Sequence, residues 1–178
     1  MKQGKKVRLR DKAYGDVDKD YIWHKDPELA RLDATIPTTL TFEEYSEEYP
    51  FQLKAAKTET RRIFAVETEE GEHIGNCAYY DIDEEAGEAE LGVMIGERKY
   101  WSKGYGEEVV NALLDYIFTN TPLRRIYLKT LESNKRAQSC FKKCGFVPYV
   151  TLHQDGHDFV FMEIFRKSRE KRQKSSDN

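Results

Sequence analysis

The chain has 178 residues, a length that suits one ordinary domain, and carries 29 Lys and Arg against 32 Asp and Glu for a net charge of −3. Nine Phe, eleven Tyr and two Trp are too many for a disordered polymer, and with 39% apolar residues no stretch approaches the ~20 that a spanning helix needs. Met1–Lys12 is basic with no apolar run behind it, unlike a signal peptide, so the expected location is cytoplasmic.

Lys6–Leu9 alternates as a short strand does, and Tyr14, Val17, Tyr21 and Ile22 then follow a helical period. Asp26 before Pro27 predicts a capped helix over Pro27–Leu32, because proline suits the first helical position. Thr41 caps a further helix with Phe42, Tyr45 and Tyr49 on one side and Glu43, Glu44, Glu47 and Glu48 on the other. That acidic side reads as a solvated face, or as a lure for a cationic amine if the helix roofs a cleft. Ile63–Val66, the turn Glu69–Glu72 and Ile74–Tyr80 form a hairpin. Tyr79 and Tyr80 point to opposite faces of it, so at least one belongs to the core. After the turn Asp83–Gly87, Glu88–Ile95 alternates again as a third strand.

A loop, Gly96–Gly104, leads into a long helix whose stripe is Val109, Val110, Leu113, Leu114, Ile117 and Phe118, stopped by Asn120-Thr121-Pro122. Arg125–Thr130 reads as a strand and Asn134–Cys144 as a helix closed by Gly145. Phe146–Leu152 and Phe159–Phe165 form a closing strand pair around Gln154-Asp155-Gly156. Arg166–Asn178 has six basic, two acidic and no apolar residues, and is expected to be a disordered basic tail behind a domain of residues 1–165. This order of elements predicts an α+β fold with one parallel crossover around residues 106–120, not a doubly wound dinucleotide fold.

The passage Val93–Val110, V-M-I-G-E-R-K-Y-W-S-K-G-Y-G-E-E-V-V, places a strand, a glycine-bearing loop and a helix start in succession. Glycines let backbone N–H groups turn toward a ligand, and a helix start adds unpaired donors and a favourable dipole. The motif lacks the Gly-Lys-Ser/Thr of a P-loop, and Val109 replaces the third glycine of a Rossmann fingerprint. A structural turn and a phosphate cradle both remain open on this motif alone. Cys77, Cys140 and Cys144 lack a C-x-x-C pair and read as buried thiols, and His153 and His157 lack a third ligand in sequence reach, so no metal is expected.

Three segments, A-E-L-G-V-M-I at Ala89–Ile95, Y-W-S-K-G-Y-G at Tyr100–Gly106 and N-K-R-A-Q-S-C-F-K-K-C-G-F at Asn134–Phe146, stand in order behind W-H-K-D-P-E-L at Trp23–Leu29. In these the chain resembles the GCN5-related N-acetyltransferase (GNAT) superfamily, most closely its ribosomal-protein N-terminal acetyltransferase-like (RimJ/RimL-like) branch. The resemblance implies a largely antiparallel mixed sheet splayed at its middle and flanked by helices. It also implies acetyl-CoA as co-substrate and a primary amine, of a small molecule or a protein N-terminus, as acceptor. The pantetheine arm would pair with backbone at Val93, Met94 and Ile95. The diphosphate would rest on amides from Trp101, Ser102, Lys103, Gly104, Tyr105 and Gly106. Asn134 matches the position that meets the arm, and Phe141 and Lys143 match positions near the thiol end or the nucleotide. Trp101 stands where the family often has Gln or Arg, which removes a side-chain contact, and a homodimer is compatible with the branch.

Acyl transfer from a thioester needs a neutral amine, a donor for the developing oxyanion and a proton for the leaving thiolate. Glu90, three residues before Val93, is the candidate general base, with ion pairing across the sheet as its alternative role. An N–H near Met94 is the candidate oxyanion donor. Phe141 stands where the family often has a tyrosine acid, which leaves water, a hydroxyl such as Ser139, or no acid. Two rival functions follow: an acyl-CoA-binding regulatory module without turnover, and a ribosome- or RNA-associated protein using the basic tail. Neither nucleic acid nor membrane is the expected partner.

Overall fold

Period-two alternation through the middle of the chain builds a sheet of eight strands in the computed structural model, which describes residues 6–176. The strands are β1 Val7–Asp11, β2 Lys57–Thr58, β3 Arg61–Thr68, β4 His73–Asp83, β5 Glu88–Ile95, β6 Arg125–Leu131, β7 Val147–Gln154 and β8 His157–Phe165. The helices are α1 Val17–Lys25, α2 Pro27–Leu32, α3 Phe42–Ala55, α4 Tyr105–Asn120, α5 Lys135–Cys144 and α6 Arg166–Ser176. Across the sheet the order is β1-β3-β4-β5-β6-β8-β7, with β2 beside β3. Every neighbouring pair is antiparallel except β5 and β6, which α4 joins by the crossover that the element order predicts.

The helix boundaries have local causes. Asp26 accepts from the N–H groups of Glu28 and Leu29 at 2.9 and 3.0 Å and starts α2. Thr41 and Glu44 close a capping box at α3. The stripe Val109, Val110, Leu113, Leu114 and Ile117 of α4 is buried in one cluster with Leu91, Ile126, Leu128 and Met162, so the crossover helix is the centre of the core. Among the described residues no helix is long and apolar enough to cross a membrane.

The sheet opens at its middle. β5 and β6 pair only at Glu88↔Arg125, Ala89↔Ile126 and Glu90↔Tyr127. Beyond Glu90, β5 keeps to β4 as far as Gly75↔Ile95, while β6 keeps to β8 as far as Leu131↔Phe159, so the two diverge. The amide of Gln138 on α5 donates to the carbonyls of Leu131 and Glu132 at 3.1 and 2.8 Å, which ties the end of β6 to α5 and away from β5.

The expected disorder after Phe165 is corrected: Arg166–Ser176 is helical, and the last two residues of the tail lie outside the described residues. Hydropathy does not register what holds α6. The Arg166 guanidinium donates to the carbonyls of Phe118 and Thr121, at the end and cap of α4, and of Leu123 beyond it. Buried Arg169 donates to Asp115 Oδ1 at 2.7 Å and Asn111 Oδ1 at 3.0 Å. Charge-assisted bonds thus replace an apolar stripe.

Candidate active site

The gap between β5 and β6 closes at one end on the start of α4. Gly104, at φ +85°, is the N-cap of α4, and no side chain caps the helix there. The N–H groups of Tyr105, Gly106 and Glu107 in its first turn therefore have no protein acceptor among the described residues. Along β5 the backbone alternates. The Gly96 N–H donates to the Ile74 carbonyl at 2.9 Å, so Gly92, Met94 and Gly96 turn to β4, and Val93 and Ile95 turn to the gap. This narrows the expectation of an N–H near Met94: the Met94 N–H belongs to the β4 ladder, and among the described residues the N–H groups of its neighbours Val93 and Ile95 face the gap. The Ile95 carbonyl is taken by Trp101 Nε1–H at 2.6 Å.

A cavity of about 190 Å³ occupies the gap. Val93, Met94 and Ile95 line it from β5; Trp101, Ser102, Gly104 and Gly106 from the loop and the start of α4; Asn134, Phe141 and Lys143 from α5. Two residues assigned to this site for their backbone amides turn their side chains away from the cavity. Lys103 is exposed, and the Tyr105 ring packs on Tyr100 at 4.6 Å against the core, which leaves only its backbone at the helix start. Asn134 caps α5 through Oδ1, which accepts from the Ala137 N–H at 3.2 Å, while its Nδ2 makes no hydrogen bond among the described residues. Trp101 does more than lose a contact: with Arg136 stacked 3.7 Å from its ring centroid it walls the cavity. Cys77 and Cys144 are buried as expected, but Cys140 is half-buried and lines this cavity.

A second cavity of about 610 Å³ shares Leu29, Asp33, Val93 and Met94 with the first, so the two meet over β5. Its charged lining is Lys12, Asp20, Asp33 and Arg61, with His24 beside them. Asp20 is saturated, accepting from Lys12 Nζ at 2.6 Å, Tyr49 OH at 2.6 Å and Asn76 Nδ2 at 2.8 Å. Asp33, at the C-terminal end of α2, has no hydrogen-bond or ion-pair partner for its carboxylate among the described residues. Its side chain is on the exposed surface, yet the surrounding protein raises its pKa through desolvation, against the opposing charges of His24 and Lys129.

Glu90 is 8% exposed and stands opposite Tyr80 in the β4–β5 register. Tyr80 OH donates to Glu90 Oε1 at 3.0 Å, and no basic side chain pairs with Glu90 among the described residues, so the cross-sheet ion pair is not the arrangement present. Burial pushes the Glu90 carboxyl above the ordinary carboxylate value, opposed by the Tyr80 hydrogen bond and the charge of Lys129. Glu90 lines neither cavity, whereas Tyr80 lines the larger one. Gly92 makes room for it: a Cβ there would sit 3.2 Å from the Tyr80 ring.

Other sequence expectations resolve simply. Tyr79 is core, and Tyr80 belongs to the site. Glu43, Glu44, Glu47 and Glu48 are exposed and line neither cavity, although α3 contributes Tyr45 and Tyr49 to the larger one. Ser139 is exposed and outside the cavities. His153 is paired with Asp158 at 2.8 Å, and no group of three metal-ligating side chains occurs among the described residues. Tyr80 and Asp33, with Arg136 and Cys140 at the smaller cavity, are lining residues that the sequence motifs do not mark.

The family model described as an acetyltransferase (GNAT) domain matches residues 6–147. The chain is 30% identical over 129 residues to the uncharacterized N-acetyltransferase p20 of Bacillus licheniformis, covering 72% of each chain. It is 32% identical over 170 residues to the human alpha/beta-tubulin-N-acetyltransferase 9, covering 90% of this chain and 79% of that one. The crystal structure of spermidine N-acetyltransferase from Vibrio cholerae in complex with CoA and spermine superposes with a TM-score of 0.82 at 24% identity, over 94% of this chain and 99% of that one. The chain belongs to the GNAT acetyltransferase family and is an N-acetyltransferase.

Proposed function

We propose that this protein transfers acetyl from acetyl-CoA to a primary amine by direct attack in a ternary complex. The observation that carries the reading is the meeting of the two cavities over unpaired β5 backbone, with Tyr80–Glu90 on the side of the larger one. The chain offers a fit for the carrier: gap-facing backbone at Val93 and the Ile95 N–H, uncapped donors at the start of α4, and the cations Lys143 and Arg136. In this reading Val93 and Ile95 hold the pantetheine amides, and the Trp101–Gly106 backbone holds the diphosphate. The Asn134 amide meets the arm, and Phe141 walls the thiol end. Glu107 also lines this cavity, and the two cations offset its charge.

When bound, acetyl-CoA supplies an activated acetyl thioester. The chain supplies the rest. Asp33 attracts the acceptor ammonium at the seam of the cavities, Glu90 takes its proton, and the Val93 N–H faces the developing oxyanion. The larger cavity limits the acceptor by charge. One unpaired carboxylate stands there with Lys12 and Arg61, which favours a single ammonium on an apolar body over a polyamine carrying several charges. A protein or peptide N-terminus meets that description, in line with the RimJ/RimL-like motifs and with the extent of similarity to the tubulin acetyltransferase. The RNA-binding alternative loses support because Arg166 and Arg169 are spent on α4.

Thiol release from acetyl-CoA tests the reading, with spermidine, kanamycin and a pentapeptide bearing a free N-terminus as acceptors. Acceptor-dependent release, fastest with the peptide, is expected. Absence of release with all three, or a thermal shift with NAD but not acetyl-CoA, overturns it.

A further inference from the structure

We propose that Tyr80 is the catalytic residue that moves protons at this site, giving the leaving sulfur the hydrogen that Phe141 cannot give, with Glu90 behind it as the proton reservoir. The inference rests on the acetyl-transfer reading above and goes beyond it by naming the acid. Position is the first ground. Glu90 lines neither cavity, and Tyr80, which lines the larger one, is its hydrogen-bond partner at 3.0 Å. The second ground is the neighbourhood of the hydroxyl. A Cβ on Gly92 would lie 3.7 Å from the Tyr80 oxygen, so the phenol lies over the residue before Val93, where β5 leaves its parallel partner. The third is backbone geometry: the β4–β5 register shifts between Tyr80 and Asp83, and Asp81 stands at φ +51°. A bulge of this kind re-aims the side chain beside it. Among the described residues of α5, Phe141 is buried against Phe146 without a hydroxyl and Ser139 is exposed outside both cavities, so neither of these two positions supplies the acid.

The proton balance closes without a further reactant. Tyr80 passes its hydroxyl hydrogen to Glu90 Oε1 and takes one from the acceptor ammonium, leaving a neutral amine. As the carbon–nitrogen bond forms and the carbon–sulfur bond breaks, Tyr80 gives its hydrogen to the sulfur and takes the remaining extra proton from the acylated nitrogen. Glu90 then releases its proton to solvent, so ammonium and thioester yield amide, thiol and one proton. The charged and titratable groups acting on the pair are Asp81 on β4, Lys129 and Tyr127 on β6, Asp33 after α2 and Arg61 on β3. Burial and the Glu90 charge raise the Tyr80 pKa, which keeps the phenol a hydrogen donor throughout the neutral range.

Tyr80→Phe, which keeps the ring over Gly92, is the test, with the free-amine pentapeptide as acceptor. Turnover is expected to fall roughly 100-fold with acetyl-CoA affinity unchanged by calorimetry. A carbon-13 NMR titration of the free protein should show the Glu90 carboxyl titrating at higher pH, since its ionised form loses a hydrogen bond. Adding Phe141→Tyr to Tyr80→Phe should recover at least about tenfold by restoring a donor near the sulfur. Wild-type turnover in Tyr80→Phe, or a loss that the second hydroxyl leaves unrecovered, overturns the assignment. Either result leaves the broader reading standing if Glu90→Gln still abolishes turnover, whereas no acceptor-dependent release by the unsubstituted protein removes both.

Discussion

Of the two cavities that meet at Val93 and Met94, the smaller sets strand backbone, a glycine loop and a helix start against side chains of α5 and α2, and the larger is bounded by side chains from α1, α2, α3, β3, β4 and β5. A wall of main-chain donors depends on where a strand loses its partner and where a helix begins. A wall of side chains depends on which residues six separate elements deliver to one place. The first kind of site tolerates a change such as Trp101, because its groups belong to the backbone. The second kind changes its acceptor with one substitution.

The contrast is broken most sharply at Glu90, which serves the chemistry and not the grip. Glu90→Gln should reduce turnover roughly 100- to 10,000-fold at neutral pH while acetyl-CoA binding, measured by calorimetry, stays as it was. Because burial raises the folded-state pKa of Glu90, its protonated form is the one folding favours. Its contribution to stability is therefore fully present below the unfolded carboxylate value and is lost as pH rises through the raised folded value. Glu90→Gln should accordingly raise the melting temperature at pH 8 and leave it nearly unchanged at pH 3.5, and the acid limb of wild-type activity should lie above the ordinary carboxylate range.

Asp33 belongs to the acceptor side of the site. Asp33→Asn should raise KM for the peptide amine roughly tenfold without changing acetyl-CoA affinity, since the residue offers charge to the amine and no donor to the carrier. Equal weakening of both ligands would mean that the cavities are not separable. The smallest effect belongs to the region outside both. Arg169→Ala should lower stability by about 1–2 kcal/mol in denaturant unfolding, the exposed side of Asp115 moderating the loss, with turnover per folded molecule unchanged.

The same contrast explains what could be read from sequence. The order of elements along the chain and the crossover were legible from the periodicity of each segment, whereas the residues around the smaller cavity were named through the family resemblance of the contiguous passage Val93–Val110 and of the segment that Asn134 opens as the cap of α5. The larger cavity was not. Tyr80 meets Glu90 only through a strand register, and Asp33 reaches the seam only because α2 folds back over β5. Alternation placed one of Tyr79 and Tyr80 in the core but could not say which. The α6 helix was missed for a different reason, since hydropathy counts apolar surface and α6 is held by guanidinium groups on carbonyls.

Amide hydrogen exchange followed by NMR, with and without CoA, addresses the gap itself. Slowed exchange on CoA addition is predicted at Val93, Ile95 and Gly106, with the β4-facing Met94 amide slow in both states. Unchanged exchange at Val93, Ile95 and Gly106 under saturating CoA, with new protection elsewhere, would contradict the account.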